Sequence, residues 1–231
     1  MDASTSLYIL PDIVAYSGRG PYQQAESQER LVKIIHASLD AAGVRPDAVA
    51  AQNQGDARML SVPVDGLDVS RVLAVFPRHF NDELRAYNRD VATHAILRVR
   101  LAFAMGPTAE GRIGRTGKTP ITVTRLNNAT PLREAMAARP EAHLGVIVEN
   151  HLYTNYVEQE FHVDPGVDEY VEVRVSDSVK GFDQNAWMRL VGYLASAPTA
   201  EPGAAPELRQ GPGPERRPGP ESEAGDRKSV V

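Results

Sequence analysis

The chain has 231 residues, 42% of them hydrophobic, so it can bury one good core and hardly two. It has no cysteine and a formal charge of −5, which excludes a disulfide framework and thiolate metal ligation and argues against a general nucleic-acid footprint. No apolar run approaches the roughly 18 residues of a membrane span, and no basic-then-apolar leader opens the chain, so the reading is a cytoplasmic protein with neither membrane nor nucleic acid as partner.

An apolar strand starting at Leu7 runs to Asp12-Ile13-Val14, and Ser17-Gly18-Arg19-Gly20-Pro21 then forms a loop, with Pro21 suited to a first helical turn. Leu31, Ile34, Ile35, Leu39 and Ala42 recur at helical spacing, which predicts a helix from Gln23 to Ala42 stopped by Gly43. Val49–Ala51 and Met59–Val62 read as strands of a hairpin that carries Asp56 in its turn, Gln54-Gly55-Asp56. Pro77 divides the next stretch into two helices, Leu67–Val75 and Arg78–Val91, with Phe76, Phe80, Leu84 and Tyr87 toward the sheet.

Leu97–Met105 alternates as a strand whose Arg98 and Arg100 point away from the core, and the glycine-rich passage from Gly106 to Thr119 reads as a hairpin turn. Ile121–Thr124 is predicted as a strand, followed by a helix from about Leu126 to Ala137, a strand at Leu144–Val148 and a short helix near Leu152–Val157. Tyr170–Val175 and Ala186–Val191 close the fold, with Trp187 in the core. The order predicts an α/β (α+β) domain over residues 1–196, a mixed sheet with helices packed on it. Residues 197–231 are rich in proline, glycine and charge and are expected to be disordered.

Several catalytic patterns fail. Gly111 to Thr119 resembles a Walker phosphate loop, but Arg112 stands where its first glycine is required and Pro120 follows where a helix should begin. The six histidines show no zinc-binding spacing, Ser17 lies in no nucleophile elbow, and there is no thiol for a cysteine dyad. Two carboxylates remain, Asp12 and Asp56, each at the end or turn of an apolar strand. Singly, each is ordinary turn chemistry. Brought within about 4 Å, they would repel by roughly 4 kcal/mol at an effective dielectric of 20, which a shared proton or a divalent cation relieves. Magnesium or manganese suits such oxygen donors.

Taken in order, these segments resemble the class III nucleotidyl cyclases, the adenylate and guanylate cyclase catalytic domain, over about residues 7 to 192. Asp12-Ile13-Val14 is similar to the strand end that opens that domain, and Gly55-Asp56-Ala57-Arg58-Met59 to its G-D-x-x-M hairpin. Arg98, Arg100 and Gly106-Pro107 follow its R-x-R-x-x-x-x-x-G-P strand, and Thr124-Arg125-Leu126 resembles its A-R-L helix signature. The resemblance implies a ferredoxin-like cyclase-homology fold and a homodimer with two sites at the subunit interface. Asp12 and Asp56 of one subunit would hold two metal ions around a nucleoside triphosphate, and Arg125 of the other would act on the transition state. The sequence departs from the family where Gln52 replaces a base-reading lysine and Ile121 replaces an asparagine that orients the ribose. Those losses favour a dimeric nucleotide- and metal-binding regulatory protein with weak or no cyclase activity, acting on a protein partner. The intact aspartates favour the alternative, an active cyclase with an atypical base preference.

Overall fold

A computed structural model describes residues 4–55, 57–111, 114–159, 169–178 and 181–193. The expected tail and Asp56 lie outside the described residues. The sheet begins with β1 (Ser4–Ile13), buried from Ser6 onward. Its odd residues Leu7, Ile9 and Ile13 enter one core cluster and its even residues Tyr8 and Leu10 another, the alternation of a strand covered on both faces. On the odd face lie α1 (Pro21–Ala41), which buries Leu31, Ile34 and Ile35, and α2 (Val69–Arg89), which buries Val72, Leu73, Phe76, Phe80 and Leu84. The β2 (Ala50–Gln54) and β3 (Ala57–Pro63) hairpin pairs through β3 with β1.

On the other side of β1 runs β4 (Val99–Gly111), in antiparallel register with Asp12 opposite Arg100. β5 (Gly114–Thr116) folds back on the end of β4, so the glycine-rich passage is a hairpin as expected. Then come α3 (Lys118–Asn127), α4 (Thr130–Ala138), β6 (Leu144–Glu149), and two short turns of helix, Asn150–Leu152 and Tyr153–Val157. β7 (Val171–Asp177) and β8 (Phe182–Leu190) end the sheet, whose order is β2-β3-β1-β4-β6-β8-β7. Only β4 and β6 of that path are parallel, which makes the sheet mixed, as the sequence predicted.

Four expectations need correction. Pro77 does not divide α2 but lies inside one continuous, buried helix. Proline in a helix interior costs about 3 kcal/mol, but the Phe76, Phe80, Val72, Leu73 and Leu84 side chains each contribute about 1.5–3 kcal/mol on burial. Burial wins. Residues Ile121–Thr124 are helical rather than a strand, because Pro120 falls in the first turn of α3, where backbone N–H groups have no intrahelical partner to lose. The helix expected from Leu126 is accordingly two: α3 ends at Asn127, and α4 starts at Thr130 with Pro131 in its first turn. Trp187 sits at the rim of the core, half-buried, stacked on Tyr153 with ring centres 3.9 Å apart, its indole N–H donating to Asn150 Oδ1 at 2.9 Å.

Two glycines position α3. A Cβ on Gly106 would stand 2.6 Å from Thr119 Oγ1, so only glycine lets the start of α3 approach β4. Gly117, with φ of 138°, turns the chain from β5 into that helix.

Candidate functional site

Asp12 comes at the end of β1 on the face that α3 and α4 cover, and it is 6% exposed. Proline at 11 supplies no N–H, and the β1–β3 ladder skips Leu10 and Pro11 before resuming with Asp12 opposite Ala57. Thus Asp12 pairs with the residue that follows Asp56 in the chain. On the other side its register partner is Arg100, and the two side chains form an ion pair. Both arginines expected to point away from the core are in fact bound within the fold. Arg98 donates to the carbonyls of Met136, Arg139 and Ala142 at the end of α4, and burial pushes its guanidinium below the ordinary arginine range.

Asn127 lies beneath this pair. Its amide donates to the carbonyls of Leu10 at 2.7 Å and Arg100 at 3.2 Å, tying α3 across the β1–β4 seam. Asn127 is 1% exposed and its amide nitrogen clamps these carbonyls, while its Oδ1 is buried with no hydrogen-bond partner among the described residues. The loop after Asp12 carries Ala15 in the left-handed region, φ 57° and ψ 32°. Gln28 of α1 donates to both the Tyr16 hydroxyl in this loop and the Gly55 carbonyl in the β2–β3 turn, at 2.6 and 3.2 Å. It therefore bridges the two segments that carry the aspartates.

A cleft of about 530 Å³ opens beside Asp12, lined by Val14 to Ser17, Arg98, Arg100, Asn128 and Arg133. Arg133 is exposed and has no ion-pair partner among the described residues. The cleft can take an anion, with Arg133 free to meet it.

Gln52 is exposed on β2, opposite Met59 and two strands away from β1. Arg125 and Ile121 share a face of α3 at helical spacing, and Ile121 is 52% exposed. The Arg125 guanidinium lies 4.9 Å over the Phe182 ring, on β8, three strands along from β1. Arg125 and Phe182 border a second cleft of about 470 Å³. Within one chain, then, the structure brings Asp12 next to the β3 strand of the Asp56 hairpin and directs Arg125 elsewhere. Sequence reasoning missed the pairing of Arg100 with Asp12 and the contacts of Asn127 and Gln28, which come from register and packing.

Among the described residues no group of three or more His, Cys, Asp or Glu converges on one point. What the described residues offer a metal here is the hard oxygen of the nearly buried Asp12 carboxylate, although Arg100 already balances its charge.

The fold these elements build is that of the class III adenylyl and guanylyl cyclase catalytic domains. The guanylyl cyclase Cya2 aligns with a TM-score of 0.57 at 12% identity, covering 81% of this chain and 92% of that one. An adenylate/guanylate cyclase/hydrolase from Silicibacter pomeroyi aligns at 0.56 and 12%, covering 84% and 100%. The non-canonical dimeric guanylyl cyclase domain of a RhoGC fusion protein from Blastocladiella emersonii aligns at 0.53 and 12%, covering 82% and 98%. No family model and no curated protein matches the sequence. No helix among the described residues is long and apolar enough to cross a membrane.

Proposed function

We propose that this chain is a cyclase-homology domain that binds a divalent metal and a nucleoside triphosphate as a homodimer, signals through a protein partner, and has weak or no cyclase activity. The observation that carries the reading is the asymmetry of the two halves of the site. Asp12, ion-paired with Arg100, borders an arginine-lined cleft suited to phosphate, whereas the face of α3 that carries Arg125 presents an exposed isoleucine.

In this reading Asp12 and Asp56 hold magnesium or manganese, which supplies positive charge beside the phosphate oxygens and the ribose 3′-hydroxyl. Arg133, at the cleft mouth, meets the polyphosphate. Gln52 offers the base an amide, which can donate and accept but carries no charge. Arg125 points away from Asp12 of its own chain, which supports its acting on a partner subunit's site. Ile121, one turn before it, cannot hydrogen-bond a ribose, and loss of one preorganised polar group at a reacting centre typically costs about 100- to 1,000-fold in rate.

The intact Asp12 favours the second reading, an active cyclase of altered base choice. Incubation with manganese and each of the four nucleoside triphosphates, beside calorimetric binding of each, separates the two. Binding without appreciable cyclisation supports the first. Robust cyclic product, lost in Asp56→Asn, establishes the second, and product from CTP or UTP alone assigns Gln52 to base choice.

A further inference from the structure

The ion pair at the end of β1 has a consequence for metal binding, and it rests on the reading of Asp12 as a metal ligand. We propose that Arg100 is a built-in counter-ion to Asp12 that a divalent cation must displace, so that this residue sets the metal affinity of the site.

The register makes the pairing obligatory. Asp12 and Arg100 are direct cross-strand partners in the central β1–β4 ladder, and both project to the face covered by α3 and α4. Their side chains are 9% and 16% exposed, so water contributes little to neutralising either charge. Each charge helps to balance the other. The Arg100 Nε is buried without a hydrogen-bond partner among the described residues, and one terminal nitrogen of the guanidinium donates to Asp12 Oδ2. It is not locked from behind.

A magnesium or manganese ion binds carboxylate oxygen at roughly 2.0–2.2 Å. A guanidinium on the same carboxylate would then lie within a few ångströms of a doubly charged ion, with little solvent between to screen the repulsion. The two cations compete. The neighbouring cleft, which Arg100 already lines with Val14, Ser17, Asn128 and Arg133, gives the displaced side chain somewhere to go. Arg98 cannot replace it on Asp12, because three backbone carbonyls hold it.

The test is manganese binding to the full chain without nucleotide, read from the paramagnetic resonance signal of the free ion, for the wild type, Asp12→Asn, Arg100→Gln and Arg100→Gln/Asp12→Asn. The expected result is at least about tenfold tighter binding in Arg100→Gln, abolished when Asp12 is also changed; a tenfold change corresponds to about 1.4 kcal/mol. Equal or weaker binding in Arg100→Gln, with wild-type binding still dependent on Asp12, overturns the counter-ion role and leaves Asp12 as a ligand. Manganese binding that ignores Asp12 in every variant sinks both. Should Arg100→Gln fail to fold, the wild type decides: the Arg100 Nε–H resonance is expected to move with the same midpoint as magnesium binding. A resonance that stays put while magnesium binds through Asp12 overturns the proposal.

Discussion

The amide of Asn127 donates to the carbonyl of Leu10, joining the last residue of α3 to the strand two residues before Asp12. This contact sets the height of α3 over the sheet where the candidate site is built. Asn127→Ala removes the donor to two strand carbonyls, one of them deeply buried, and an orphaned buried acceptor costs about 1–3 kcal/mol. A loss of roughly 2 kcal/mol in urea unfolding is expected, and a change below about 0.5 kcal/mol would show that the clamp is idle.

Gly106 and Thr119 permit a double-mutant test of how α3 packs. Gly106→Ala places a methyl against Thr119 Oγ1 and is expected to destabilise by about 1–3 kcal/mol. Adding Thr119→Ala removes the clash, so the double variant should recover most of the loss relative to Thr119→Ala alone. Strict additivity in chemical denaturation would contradict the close approach.

Ala15 holds a left-handed conformation that costs a residue with a Cβ about 1–2 kcal/mol, against a smaller unfolded-state penalty for glycine. Ala15→Gly is therefore expected to raise stability by about 0.5–1 kcal/mol. A lower unfolding midpoint in the variant would contradict this.

Glu149 accepts the Met105 N–H at 3.1 Å, and burial pushes its carboxyl above the usual carboxylate range, while that N–H and His151 pull it down. A raised folded pKa means the folded state holds the proton more tightly than the unfolded chain does. The group's favourable contribution is complete below its ordinary value of 4.5 and is lost as pH rises through the folded value. Glu149→Gln, which never ionises, should match the wild type near pH 4 and exceed it at pH 7. Melting curves across that range check the sign, and parallel pH profiles would refute it.

Ile121 faces solvent one helical turn before Arg125, so an asparagine there can reach the same side as the guanidinium. If the missing polar group is what limits cyclisation, Ile121→Asn should raise the rate with manganese by about 100-fold. No change in rate, with nucleotide binding intact, would place the deficit elsewhere in the site.

By itself the sequence determined the order of most elements, the mixed sheet and the two aspartate-bearing segments, because period-two and helical spacing are local signals written in Leu7–Ile13, Leu31–Leu39 and Leu144–Val148. It also carried the resemblance to the cyclase fold, through the order of short motifs. Only the tertiary structure decided that α2 runs through Pro77, since the apolar burial that outweighs a lost hydrogen bond comes from distant strands. It likewise decided that Ile121–Thr124 is helix, because the glycine at 106 admits α3 onto β4 from fifteen residues upstream. The pairing of Asp12 with Arg100 belongs to the same class: 88 residues separate them, and their meeting depends on strand register, which no local pattern encodes.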